Sequence, residues 1–139
     1  MNSSDTVAAD LGLTLMVPEH GGVPLTASLS YRGDDPFAIR MAFHVGMDEP
    51  VEWIFARELL ADGLHRHAGE GDVRVWPGAG RDRRVLNIAL SSPFGHAHFE
   101  ASLPAVSQFL LRTFEVTPDG HETDFIDIEG ELNALLRWA

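Results

Sequence analysis

Apolar residues fall on every second position along most of the stretch from residue 11 to residue 55. Leu11, Leu13, Leu15 and Val17 share one face. Val23, Leu25, Ala27, Leu29 and Tyr31 share the next, set against Thr26, Ser28 and Ser30. Ile39, Met41, Phe43 and Val45 oppose Arg40 and His44, and Val51, Trp53 and Phe55 follow. Period-two patterning of this length predicts four half-buried antiparallel strands. Pro18–Gly22, Gly33–Pro36 and Gly46–Pro50 supply the turns between them.

The period lengthens at Ala56–Leu64, where Leu59, Leu60 and Leu64 have helical spacing and Gly63 is placed as a stop. The second half repeats the plan. Strands are expected at Asp72–Trp76, Val85–Leu90 and His96–Ala101, separated by a Gly- and Arg-rich loop, Pro77–Arg84, and a turn, Ser91–Gly95. Ser102 caps a helix with Pro104 in its first turn and an apolar seam of Leu103, Val106, Leu110 and Phe114. A last helix is expected from about Asp124 to Trp138, where Phe125, Ile128, Leu132, Leu135 and Leu136 form an amphipathic stripe. The fold class is therefore α+β: about seven antiparallel strands in two related halves, with helices packed against them, in a single domain spanning residues 1–139.

Charge narrows the function. The chain has 21 acids against 10 basic residues, all arginine, for a net charge of −11. Polyanions are held by releasing counterions to Lys and Arg, so long-range attraction to nucleic acid or an anionic membrane has the wrong sign. The absence of cysteine rules out a disulfide framework and suits a reducing cytoplasm. No apolar run approaches the length of a membrane span, and Met1–Asp10 does not resemble a secretory signal.

Candidate chemistry is sparse. His96, His98 and Glu100 fall on one face of a strand and could grip a divalent metal, although the same spacing describes a solvated polar face. His65 and His67 lie beyond a helix stop. Ser91 and Ser92 sit in a turn, and Glu52 is expected to pair with an arginine such as Arg57. Arg81, Arg83 and Arg84 form the one cationic cluster, at a hairpin tip, and Trp76 points away from Val73 and Val75. These four are the candidate interaction residues, since aromatics and arginines are favoured at protein interfaces. No residue is assigned to catalysis, cofactor binding or a metal. The phosphate-binding and hydrolase motifs are missing, and Gly78-Ala-Gly80 leads into a strand where a dinucleotide fingerprint needs a helix.

Several segments belong together in order and spacing: Asp35–Ile39, Val51–Leu60 with Gly63-Leu64, Gly71–Pro77, Leu90–Pro93 with Gly95, and Phe109–Thr113. Together they resemble the SsgA-like sporulation and cell-division proteins of actinomycetes, over residues from about 11 to 136. Length and pattern are most like the member that recruits the tubulin-like protein FtsZ. The resemblance implies a non-catalytic cytoplasmic regulator that helps select septum sites by binding FtsZ and other division proteins. It also implies a whirly-like fold and a homotrimer. Tyr31, Trp53, Trp76, Phe94 and Trp138 fit an oligomer, since some of these aromatics should fall outside a single core. Two other functions are set against this one: a whirly-type single-stranded nucleic-acid binder, and a metal enzyme built on His96, His98 and Glu100.

Overall fold

The computed structural model describes residues 5–46, 49–80 and 82–125. Four strands, β1 (Thr6–Val17), β2 (Gly21–Arg32), β3 (Asp35–His44) and β4 (Val51–Ala56), lead into α1 (Arg57–Gly63). Three more, β5 (Val73–Ala79), β6 (Arg84–Ser92) and β7 (Gly95–Ser102), lead into α2 (Leu103–Val116) and a 3-10 turn, Glu122–Phe125. All neighbours are antiparallel, in the order β4-β3-β2-β1-β7-β6-β5. Each half is thus a meander followed by a helix, and the halves join where β1 pairs with β7. The expected helix near Asp124–Trp138 lies largely outside the described residues.

The sheet curls into a half-barrel. Phe43 on β3 stacks on Phe99 on β7 with ring centroids 4.8 Å apart. Three strand spacings, about 14 Å, would separate those strands in a flat sheet. The seven-residue α1 touches β3 and β4 at one end of the strand order and β5 at the other. Both helices fill the concave face, over Leu29, Tyr31, Ile39, Met41, Phe55, Leu86 and Ile88. Tyr31, one of five aromatics of which some were expected outside a single core, is 1% exposed and belongs to the core.

Two boundaries differ most from expectation, while Asp35–Pro36, Ser91–Ser92 and Gly95, expected in turns, extend β3, β6 and β7. β1 begins at Thr6, five residues early, because Thr6–Asp10 pairs with Ser28–Arg32 of a strand already fixed in the sheet. β5 runs through Pro77 to Ala79, where a loop was expected. Pro lacks a donor and is confined to edge strands, and β5 is an edge. The edge is closed in part by Ala68, which exchanges two backbone hydrogen bonds with Val75, at 2.8 and 2.9 Å.

Candidate functional site

The helix-free face of the sheet carries the polar side chains of each strand. Asp10, Ser28 and His44 are joined across it by the Ser28 hydroxyl, which donates to Asp10 Oδ1 at 3.2 Å and lies 2.8 Å from His44 Nε2. Further along, Arg40 bridges Glu52 at 3.2 Å and Asp35 at 3.3 Å. The expected Glu52–Arg57 pair is therefore incorrect. Glu52 stands opposite Ala42, diagonal to Arg40, whereas Arg57 has crossed into the core.

At the β5–β7 end, Trp76, Asn87 and Glu100 stand in one row, and Arg74, Ala89 and His98 in the next. The Trp76 indole is stacked between His98, at 5.5 Å, and His67, at 5.6 Å. His67 arrives from outside the β5 edge through the Ala68–Val75 bridge, and His98 comes from β7, so the imidazoles take opposite faces of the ring. Asn87, nearly buried, links the group: its Nδ2 donates to the Trp76 carbonyl at 3.4 Å and its Oδ1 lies 2.8 Å from His98 Nε2.

This arrangement disperses the metal triad weighed for β7. His98 is turned to Asn87, His96 Nδ1 lies 3.0 Å from Ser91 Oγ, and Glu100 lines a separate depression with Arg83. Among the described residues no group of three or more potential ligands could hold a metal. Ser91 and His96 form a close pair, but no carboxylate of the described residues orients the imidazole as a nucleophile's base requires. Ser92 Oγ accepts from the Phe94 amide in an ordinary turn.

Of the candidate interaction residues, Trp76 is half-buried on the outer face, and Arg83 and Arg84 are exposed. Arg84 alternates onto the face opposite Asn87, so Trp76 and Arg84 do not form one patch. Arg81 lies outside the described residues. Trp53 is half-buried, Trp138 lies outside the described residues, and Phe94 is 98% exposed. Phe94 shares one end of the half-barrel with Val45 and Val51, around an apolar groove of about 320 Å³.

The sequence reading missed the most constrained side chain of the described structure. Arg57, 3% exposed, donates to the carbonyl oxygens of Thr113 and Thr117 and to Glu122 Oε1. Its guanidinium also lies 4.2 Å from the Phe114 ring centroid. The signal was its spacing: residues 57, 60 and 64 share one helical face, so the arginine occupies a position of the apolar stripe.

Comparison with known proteins agrees with the fold. Residues 25–122 match the family described as Streptomyces sporulation and cell division protein, SsgA. The sporulation-specific cell division protein SsgB of Thermobifida fusca is 57% identical over 133 residues, covering 95% of this chain and 96% of that protein. The SsgB of Streptomyces coelicolor is 47% identical over 131 residues, covering 94% and 96%. The crystal structure of an SsgA-like sporulation-specific cell division protein from Thermobifida fusca superposes with a TM-score of 0.87, at 54% identity, over 96% of this chain and 98% of the other. A Streptomyces coelicolor SsgB structure gives 0.86, at 45% identity, over 91% and 99%. The family expected from the sequence is borne out, and the chain belongs to the SsgA family of sporulation and cell-division proteins.

Proposed function

We propose that this chain is a non-catalytic cytoplasmic regulator of sporulation-specific division, which helps select septum sites and recruits FtsZ by direct binding. The observation that carries the reading is the near full-length similarity to relatives named sporulation-specific cell division protein SsgB. The polar outer face supports it: the Ser91–His96 pair has no orienting acid among the described residues, and the imidazoles of β7 are spent on neighbours. Binding is assigned to surfaces, with Trp76, Arg83 and Arg84 as the described candidates. The chain is proposed to act as a homotrimer. The exposed apolar end around Phe94, Val45 and Val51 supports a contact between copies.

Co-sedimentation with purified FtsZ polymers tests the central step. The chain is expected in the polymer pellet at a saturable ratio. Failure to sediment with FtsZ, together with failure to bind any other division protein, overturns the reading.

A further inference from the structure

One cleft contrasts with the acidity of the rest of the chain. It encloses about 520 Å³ on the outer face of β5, β6 and β7, walled on one side by the end of β1 from Leu15 to Pro18. Among the described residues that line it there is no Asp or Glu, although the sequence has 21 acids. Arg74, His96 and His98 line it instead. The register places Arg74 and His98 on either side of Ala89. The small side chain leaves a depression between two basic groups whose strands lie roughly 10 Å apart.

Arg74 is also unspent. Arg32, Arg40, Arg57 and Arg66 each make an ion pair, whereas Arg74 is exposed and makes none among the described residues. An unpaired guanidinium in a cleft without carboxylates is a ready fork for an incoming one. The wall beside it is built by the Trp76 indole, which stacks on both His67 and His98.

The same features choose between occupants. A single-stranded nucleic acid needs an open aromatic face and a track of cations. Here both faces of the indole are taken, and a net charge of −11 repels a polyanion. A short peptide carrying a carboxylate or two feels far less of that repulsion. Its aliphatic side chains have Met16 and its β1 neighbours to pack against.

We propose that the Trp76 cleft binds an acidic, aliphatic linear segment of a partner protein, with a carboxylate on Arg74 and apolar side chains against the end of β1. The proposal rests on the reading of this chain as a protein-binding regulator and names the chemistry of the bound segment. Arg74 supplies the charge, His96 and His98 line the rim, and Trp76 sets the shape.

The test is fluorescence anisotropy of the full chain with a labelled peptide of alternating Leu and Glu, beside its Leu/Lys counterpart. The Leu/Glu peptide is expected to bind saturably and the Leu/Lys peptide to bind at least about tenfold more weakly. Arg74→Glu should weaken the Leu/Glu peptide about tenfold or more with an unchanged circular dichroism spectrum. Arg32→Glu, at the end of β2 and beside the start of β1, should leave binding as it was. In nuclear magnetic resonance titrations the shifted amides should map to β5–β7, with the Trp76 indole among the shifted signals. Equal binding of both peptides, no saturable binding at millimolar concentration, or an unaffected Arg74→Glu variant overturns the proposal. So does displacement of the peptide by an equimolar single-stranded oligonucleotide. If Arg74→Glu still sediments fully with FtsZ and binds no peptide differently, the cleft is removed from the account while the protein-binding reading stands.

Discussion

The guanidinium of Arg57 crosses the core and donates to the Thr117 carbonyl oxygen at 2.7 Å, closing the end of a helix that lies on the other side of the sequence from its own. Thr113 O at 3.2 Å and Glu122 Oε1 at 3.1 Å complete its partners. Without the arginine the Thr117 carbonyl would lose its donor in the core, while Thr113 O and Glu122 Oε1 would keep the amides of Thr117 and Gly120, and a buried acceptor left unpaired is more costly than one that never made its bond. Arg57→Ala is expected to lower the free energy of unfolding by about 3–5 kcal/mol. Arg57→Lys should recover only part, since a point charge cannot replace the fork. Urea denaturation measures both, and a loss below about 1 kcal/mol would show that α2 ends without this support.

Glu122 gives the same network a dependence on pH. Partial burial works to raise its carboxyl, but hydrogen bonds from the Glu122 and Gly120 amides and from Arg57 outweigh it and hold the carboxyl below its ordinary value. A carboxyl lowered in the folded state adds stability that is present above the ordinary carboxylate range. That stability is lost as pH falls through the folded value. Glu122→Gln is therefore expected to melt below the parent at about pH 7, with the gap closing as pH falls below the ordinary carboxylate range. A gap of constant size across that range would mean that the carboxylate's charge plays no part.

Gly63 marks where α1 meets the far edge of the sheet. A Cβ at this position would collide with Val75 Cγ2 and come within 2.9 Å of Val75 Cβ. Gly63→Ala should therefore destabilise by about 1–3 kcal/mol, although alanine is the better helix former. The cycle with Val75→Ala should show coupling of about 1 kcal/mol or more, the double variant losing less than the sum of the single ones. Additive losses would place the strain somewhere other than this contact.

Phe94 offers the converse case. Its ring is 98% exposed, so Phe94→Ser should change stability by no more than about 0.5 kcal/mol. Light scattering of the parent should report about three times the 15.2 kDa chain mass, and the variant should shift towards the monomer. A trimer that persists in Phe94→Ser would assign the contact between copies to another surface. A parent that is monomeric at every concentration would refute the trimer.

Alternation made most strands legible because the curled sheet buries one face and wets the other. Leu11–Leu13 and Ile39–Phe43 follow that rule throughout, whereas Thr14–Val17 at the end of β1 are half-buried on both faces. It failed at Pro77–Ala79, where residues that normally break a ladder sit on an edge that tolerates them. The candidate site was legible only in part. Trp76 stood out by parity, but its clamp needs His67, delivered by a loop through a bridge at Ala68 that no local pattern announces. Arg57 was expected only as a candidate partner of Glu52, five residues away in sequence, whereas its place on the helical stripe carries it into the core.

The strand order has a consequence for how the chain is made. β1 leaves the ribosome before every other strand of the sheet, yet it lies in the middle of the strand order and its second neighbour is β7, with Leu13 beside Ala101. A nascent chain that ends after α1 already holds every residue of its four-strand meander. It still presents one side of β1 as an open edge, with Leu13 and Leu15 uncovered by the second half. Closing that edge requires the most distant strand pairing in the sheet, the kind of contact that slows folding. The vulnerable interval for misassociation is therefore the synthesis of residues 64–102, and it ends when the last strand seats against the first.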